Sequence, residues 1–173
     1  MEVLAMAYLR RLLVGVIGAV SLVGAGSISV GAHDGGTLVG FDSMTGVTAA
    51  GVNLVNDRGI AAGGKPWVIT SGSGEVDRQG NVEVKVRGLV IPVAPFNGTN
   101  PVKSFMATVS CLTPHGVVNV TTGAVGTGST GDATINATVA LPHPCKHPLV
   151  FVGTTNTAGA FVWFAVSNSE DED

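Results

Sequence analysis

Asp77-Arg78-Gln79-Gly80-Asn81-Val82-Glu83-Val84-Lys85-Val86-Arg87 is the stretch that decides the fold. Val82, Val84 and Val86 alternate with Glu83, Lys85 and Arg87, so one side of the segment is apolar and the other charged. A period of two belongs to a strand buried on one face only. Asp77-Arg78-Gln79-Gly80 reads as a tight hairpin turn that brings an earlier strand, residues 67–76, back alongside. Gly72 and Gly74 loosen the middle of that earlier strand. At Gly88 the alternation gives way to continuous Leu89-Val90-Ile91, the mark of a bulge or of a fully covered region.

The same pattern recurs toward the C-terminus. Pro92, Pro95, Asn97-Gly98 and Asn100-Pro101 mark a long loop. Residues 103–112 then place Phe105, Ala107, Val109 and Cys111 on one face, with Met106, Thr108 and Ser110 on the other. Thr113-Pro114-His115-Gly116 is a turn, and residues 117–122 return. A flexible loop at 123–131 leads to 133–141, where Ala133, Ile135, Ala137, Val139 and Leu141 alternate with Thr134, Asn136 and Thr138. Pro142-His143-Pro144-Cys145-Lys146-His147-Pro148 is expected to be irregular, because three prolines break a ladder. Residues 149–153 and 160–166 close the domain as apolar strands. About eight short strands, with turn signals roughly every ten residues, predict a single antiparallel β-sandwich with Greek-key-like connections.

Working toward the N-terminus, residues 33–64 are Gly-rich and read as a segment of one or two weak strands before the sandwich core at 65–168. Ahead of it, Arg10-Arg11, an uncharged run at 12–32 and the small residues Val30-Gly31-Ala32 together read as a signal peptide cleaved after Ala32. The competing reading is an uncleaved anchor, since 21 residues are long enough to span a bilayer. Five glycines within the run weaken it as a permanent helix. Either way the remainder is expected outside the cytoplasm, secreted or at the cell envelope, with membrane contact only through that segment.

The exported part carries seven Lys/Arg against eleven Asp/Glu, four of the latter in the acidic tail at 169–173. Its lysines are scattered and form no basic stripe, which argues against nucleic acid as a partner. Cys111 and Cys145 are the two cysteines, and in an oxidising compartment the default is one disulfide between them.

Four features raise the question of chemistry. His143-x-Cys145-x-His147 could offer copper or zinc two imidazoles and a thiolate, but a disulfide at Cys145 competes for the same sulfur. Gly126-Thr127-Gly128-Ser129-Thr130-Gly131 spells a G-x-G-x-x-G phosphate cradle. Such a cradle needs a helix after it, and a period-two strand follows here, so a hairpin loop is expected. Glu75 and Asp77 could form a carboxylate pair, though beside a turn they are expected to be solvated. Phe161 and Trp163 share one face of the last strand, either as half of a central strand covered on both sides or as an aromatic strip for a ligand. Asn97-Gly98-Thr99, Asn119-Val120-Thr121 and Asn136-Ala137-Thr138 match the glycosylation acceptor pattern, which arises by chance in a chain so rich in Asn and Thr.

Pro66-Trp67-Val68-Ile69, Gly88-Leu89-Val90-Ile91, Asn100-Pro101, Val109-Ser110-Cys111, Leu141-Pro142-His143-Pro144-Cys145 and Trp163-Phe164-Ala165-Val166 occur in that order. In this order they resemble small, uncharacterised secreted β proteins of bacteria. The resemblance implies export and a compact β domain, and transfers no activity or catalytic residue. The expectation is a non-enzymatic structural or binding module needing no cofactor, with a cell-surface protein or polysaccharide as partner. The alternative is a metal-binding protein or hydrolase built on His143, Cys145 and His147.

Overall fold

The valines of 81–87 do line one face of a strand: Val82, Val84 and Val86 are buried, whereas Glu83, Lys85 and Arg87 stand in solvent. The computed structural model describes residues 36–168; residues 1–35, which include the segment read as a signal peptide, and the acidic tail at 169–173 lie outside the described residues. In chain order the strands are β1 (Thr37–Phe41), β2 (Met44–Gly46), β3 (Ala61–Ala62), β4 (Ser71–Asp77), β5 (Asn81–Arg87) and β6 (Ser104–Thr113). They continue as β7 (Gly116–Thr121), β8 (Val125–Gly126), β9 (Ala133–Thr138), β10 (Lys146–Thr155) and β11 (Phe161–Ser167). Eight of these have five residues or more, and the other three are bridges of two or three.

Two sheets result. The smaller has the order β1-β4-β5-β9, and the larger β2-β11-β10-β6-β7, with β3 added beside β11 and β8 beside β6. Pairing is antiparallel throughout except at β3, which runs parallel to β11. The facing sides close over one core. Val76, Val82, Val84, Val86 and Ile135 come from one sheet, and Phe105, Ala107, Val109, Val150, Val152 and Phe164 from the other. Each buried branched or aromatic side chain contributes roughly 1.5–3 kcal/mol, which makes this seam the main source of stability.

The structure redraws four of the expected boundaries. The strand before the hairpin begins at Ser71 rather than Trp67. Trp67 is instead pulled inward to stack on Phe164, ring centroids 3.9 Å apart, and its N–H bonds to the Val47 carbonyl. The Gly-rich segment is no appendage: β1 pairs with β4 and β2 with β11, and Phe41, Met44 and Val47 are buried in the shared core. The proline loop is shorter than expected, because β10 already begins at Lys146. Pro148 is tolerated where the β6 register shifts between Lys146 and Leu149, so its missing N–H falls at an irregularity. Finally, strict alternation fails in β11. Val152 pairs with Ala165 but Gly153 with Trp163, leaving Phe164 as the extra residue of a bulge, so Phe164 and Ala165 are both buried in the core. The bulge requires Gly153, where a Cβ would sit 1.9 Å from the Val162 carbonyl oxygen.

A hairpin at 54–62 lies over the outer side of the larger sheet. Val55 bridges Ala61, the Ala62 N–H bonds to Leu54 O, and Asn56 closes the turn through its backbone and its Oδ1. Arg58 at the tip is only 6% exposed. It donates to the carbonyls of His147 (2.9 Å) and Ser110 (3.4 Å), and its own carbonyl accepts from Asn119 Nδ2 (2.9 Å). The strap meets β6 at Ser110, which is buried on the side of the strand that faces away from the core.

Candidate functional site

The proline loop is built around a bond. Cys111 on the core face of β6 is joined to Cys145 just before β10, with Cα atoms 4.8 Å apart. The chain-entropy model assigns a loop of this length about 3–4 kcal/mol. With its sulfur committed, Cys145 offers neither a thiolate ligand nor a thiolate nucleophile. His143 and His147 are exposed on either side of it. His147 adopts a positive φ of 43° and presents its carbonyl to Arg58. Among the described residues no group of three or more His, Cys, Asp or Glu is arranged to hold a metal ion. The same loop borders a small cavity with Leu38 and Arg78.

Phe161 and Trp163 are both half-buried. The Trp163 ring meets Phe151 edge to face at 5.8 Å, and its Nε1 is buried without a protein partner. β11 lies inside the larger sheet, between β10 on one side and β2 and β3 on the other. The Phe151–Trp163 contact is part of the packing of the larger sheet, while Phe161 and Trp163 each keep some surface in solvent.

The outer side of the smaller sheet carries no such cover. An open groove of about 740 Å³ crosses it, lined by Thr37, Glu75, Asn81, Glu83, Asn136 and Thr138 among others. Register fixes this row: Glu75 pairs with Glu83, and Glu83 with Asn136, so the side chains of three strands stand abreast. Two carboxylates directly opposite each other repel. Here each has a partner that spreads its charge: Thr37 Oγ1 donates to Glu75 at 2.6 Å, and Lys85 Nζ approaches Glu83 at 2.7 Å. At the end of the row Thr138 Oγ1 donates to Asn81 Oδ1 at 2.8 Å. The face is thus a lattice of donors and acceptors already aligned by the pleat.

Asp77 closes the groove at the turn, and it is structural. Burial alone would raise its carboxyl, but hydrogen bonds from the Asn81 side chain and from the N–H groups of Asn81, Gln79 and Gly80 outweigh this and hold it below the ordinary carboxylate value. Glu75 and Asp77 do not converge as an acid–base pair: one caps a threonine on the surface, the other is consumed by its own turn.

The G-x-G-x-x-G loop is also spoken for. Asn100 reaches into it, donating from N to Ser129 O and from Nδ2 to Gly128 O, while Leu89 N bonds to Gly131 O. The strand β9 follows, so no helix N-terminus is aimed at the loop. Asp132 ends it by accepting the Gly88 N–H at 2.9 Å. That bond, then the Thr130 hydroxyl, lowers the Asp132 carboxyl despite some burial, and Arg87 adds to the effect.

Two features had only a faint trace in the sequence. Asn136 and Asn81 join the charged row through register alone. Arg58 looks like any surface arginine, although the pattern Asn56-x-x-Gly59-Ile60 repeats as Asp77-x-x-Gly80-Asn81 and Asn156-x-x-Gly159-Ala160. In comparison with known proteins, no family model, no curated protein and no solved structure matches this chain. The class these features define is structural: a disulfide-linked, all-β, sandwich-like protein with an open polar face.

Proposed function

We propose that this protein is an exported, non-enzymatic binding module that lays the open face of its smaller sheet against a hydroxyl-rich polymer such as a cell-surface polysaccharide. The observation that carries the reading is the aligned row Glu75, Glu83 and Asn136, with Thr37 bonded to Glu75 and with Asn81 and Thr138 at its end. Carboxylates and amides in a fixed row suit the paired hydroxyls of a sugar chain, because each can take part in two hydrogen bonds at once. A flat, preordered sheet also binds an extended chain with little ordering cost. Export is supported by the Arg10-Arg11 segment with its apolar run and small-residue exit, and the disulfide is compatible with an oxidising compartment. Among the described residues no helix is long and apolar enough to cross a membrane.

The test is co-sedimentation of the purified disulfide-bonded protein with insoluble cell-envelope polysaccharides. Retention should fall about tenfold or more in the double variant Glu83→Ala/Asn136→Ala, the loss of two good hydrogen bonds, one of them to a charged group. Equal retention of the variant and the parent, or no retention on any polysaccharide, overturns the reading.

A further inference from the structure

At the end of the molecule where the turn 77–81 meets the loop 141–145, the chain encloses a cavity of about 250 Å³. It is more enclosed than the groove on the smaller sheet and is separate from it except at the turn. Its walls are apolar: Leu38 from β1, Leu141, Pro142 and Pro144 from the loop, and the half-buried Cys145 of the disulfide. Against these walls stand two nitrogen bases, Arg78 and His143. The single ion pair among the described residues is Lys85–Glu83, so no described carboxylate neutralises Arg78. Its neighbour Asp77 is fully engaged by Gln79 N, Asn81 N and Asn81 Nδ2 at 2.9, 2.9 and 2.7 Å.

An apolar pocket lined by an arginine that no described carboxylate pairs with is complementary to an aliphatic chain ending in a carboxylate. The chain lies on leucine and proline, and the planar guanidinium takes both carboxylate oxygens at once. Volume sets the size. At roughly 30 Å³ per water in the liquid, the cavity holds about eight non-hydrogen atoms. Hexanoate has that many. We propose that this cavity binds a short aliphatic carboxylate, with Arg78 holding the carboxylate and Leu38 and Leu141 holding the chain. Two sources present this group, a free short-chain acid and the C-terminal residue of an aliphatic peptide. The site is independent of the polymer-binding reading, because it shares neither Glu83 nor Asn136.

The experiment is an NMR titration of the purified, disulfide-bonded chain with hexanoate, hexanamide and N-acetyl-leucine. Hexanoate should saturate the shifts of Leu38 and Leu141 in the millimolar range, and hexanamide should bind about tenfold or more weakly, as loss of a charge-assisted bond requires. Arg78→Gln should weaken hexanoate by a similar factor and leave hexanamide unchanged. Arg78 is exposed at a turn tip, so this variant folds, and an unchanged thermal midpoint verifies it. N-acetyl-leucine binding more tightly than hexanoate assigns the site to peptide C-termini, and the reverse order assigns it to free acids. No saturable shift below about 10 mM, equal binding of acid and amide, or full hexanoate binding by Arg78→Gln overturns the proposal.

Discussion

The backs of the two sheets differ more than their sequences do. Behind the smaller sheet, Glu75, Glu83, Lys85 and Asn136 stand in water. Behind the larger one, Phe151 is 2% exposed and Thr108 1%. Yet β6 alternates as cleanly as β5, with Met106, Thr108 and Ser110 set against Phe105, Ala107 and Val109. What separates them is the hairpin at 54–62, some fifty residues earlier in the chain, which lies across the larger sheet and is pinned by Arg58. Alternation thus tells which residues share a face. Whether that face meets water depends on a distant segment.

The sharpest way to break this contrast is to truncate on the covered side. Phe151→Ala should cost about 3–5 kcal/mol in urea unfolding, as expected for a buried aromatic. A loss under about 1 kcal/mol would mean that the back of the larger sheet is effectively open, like that of the smaller. Next in size is the bond that ties β6 to the loop arriving from the smaller sheet. Replacing Cys111 and Cys145 by alanine should lower stability by about 3–4 kcal/mol, measured by the same unfolding curve.

The strap itself is tested by Arg58→Ala. Removing the guanidinium takes away the donor to the buried carbonyl of Ser110 and to the part-buried carbonyl of His147, an expected loss of about 2–4 kcal/mol. Hydrogen exchange at Ile60 and Phe151 should accelerate more than at Val84. The seam is already under-satisfied. Asn56 Nδ2, Ser110 Oγ and Trp163 Nε1, the buried side-chain polar atoms with no protein partner among the described residues, belong to the strap or to the sheet that it covers. An exchange pattern uniform over both sheets would show that the strap is not a separate unit.

Acid probes the open side. The folded pKa of Asp77 is depressed, so its contribution is present at neutral pH, is complete above the ordinary carboxylate value and is lost as pH falls through the folded value. Asp132 acts in the same sense at the other end of β5. Asn56 and Asn156 close identical turns with an amide oxygen in place of the carboxylate. Asp77→Asn should therefore keep the fold at pH 7 and flatten the decline in thermal midpoint below about pH 4. The smallest effect belongs to the exposed pair on the same face: Lys85→Ala should shift stability by at most about 0.5 kcal/mol. A larger loss there would make the open face structural rather than a surface free to bind.

The three turns show where legibility ends. Asn or Asp, two variable residues, Gly and one more residue give the same closure at 56–60, 77–81 and 156–160, with Gly59, Gly80 and Gly159 at positive φ of 72°, 87° and 79°. The side-chain oxygen accepts two N–H groups of its own turn, and glycine takes the left-handed position at no steric cost. All of that is local chemistry. The fates of the turns are not local, for Arg58 is driven onto a sheet whereas Arg78 borders a cavity. The candidate site divides the same way. The disulfide was readable from two cysteines in a chain whose sequence reads as exported. The Glu75–Glu83–Asn136 row was not, because it depends on which strands are neighbours.

From the amino acids alone came the all-β class, the turn at 77–80, the inward valines of β5 and the pairing of the two cysteines, because each depends on side-chain period, local backbone preference or simple elimination. Only the tertiary structure decided that the Gly-rich segment completes both sheets, that a bulge sends Phe164 inward beside Ala165, and that one sheet is strapped while the other lies bare. Those outcomes turn on contacts between residues far apart in the chain, where packing and backbone hydrogen bonding across sheets outweigh any local preference.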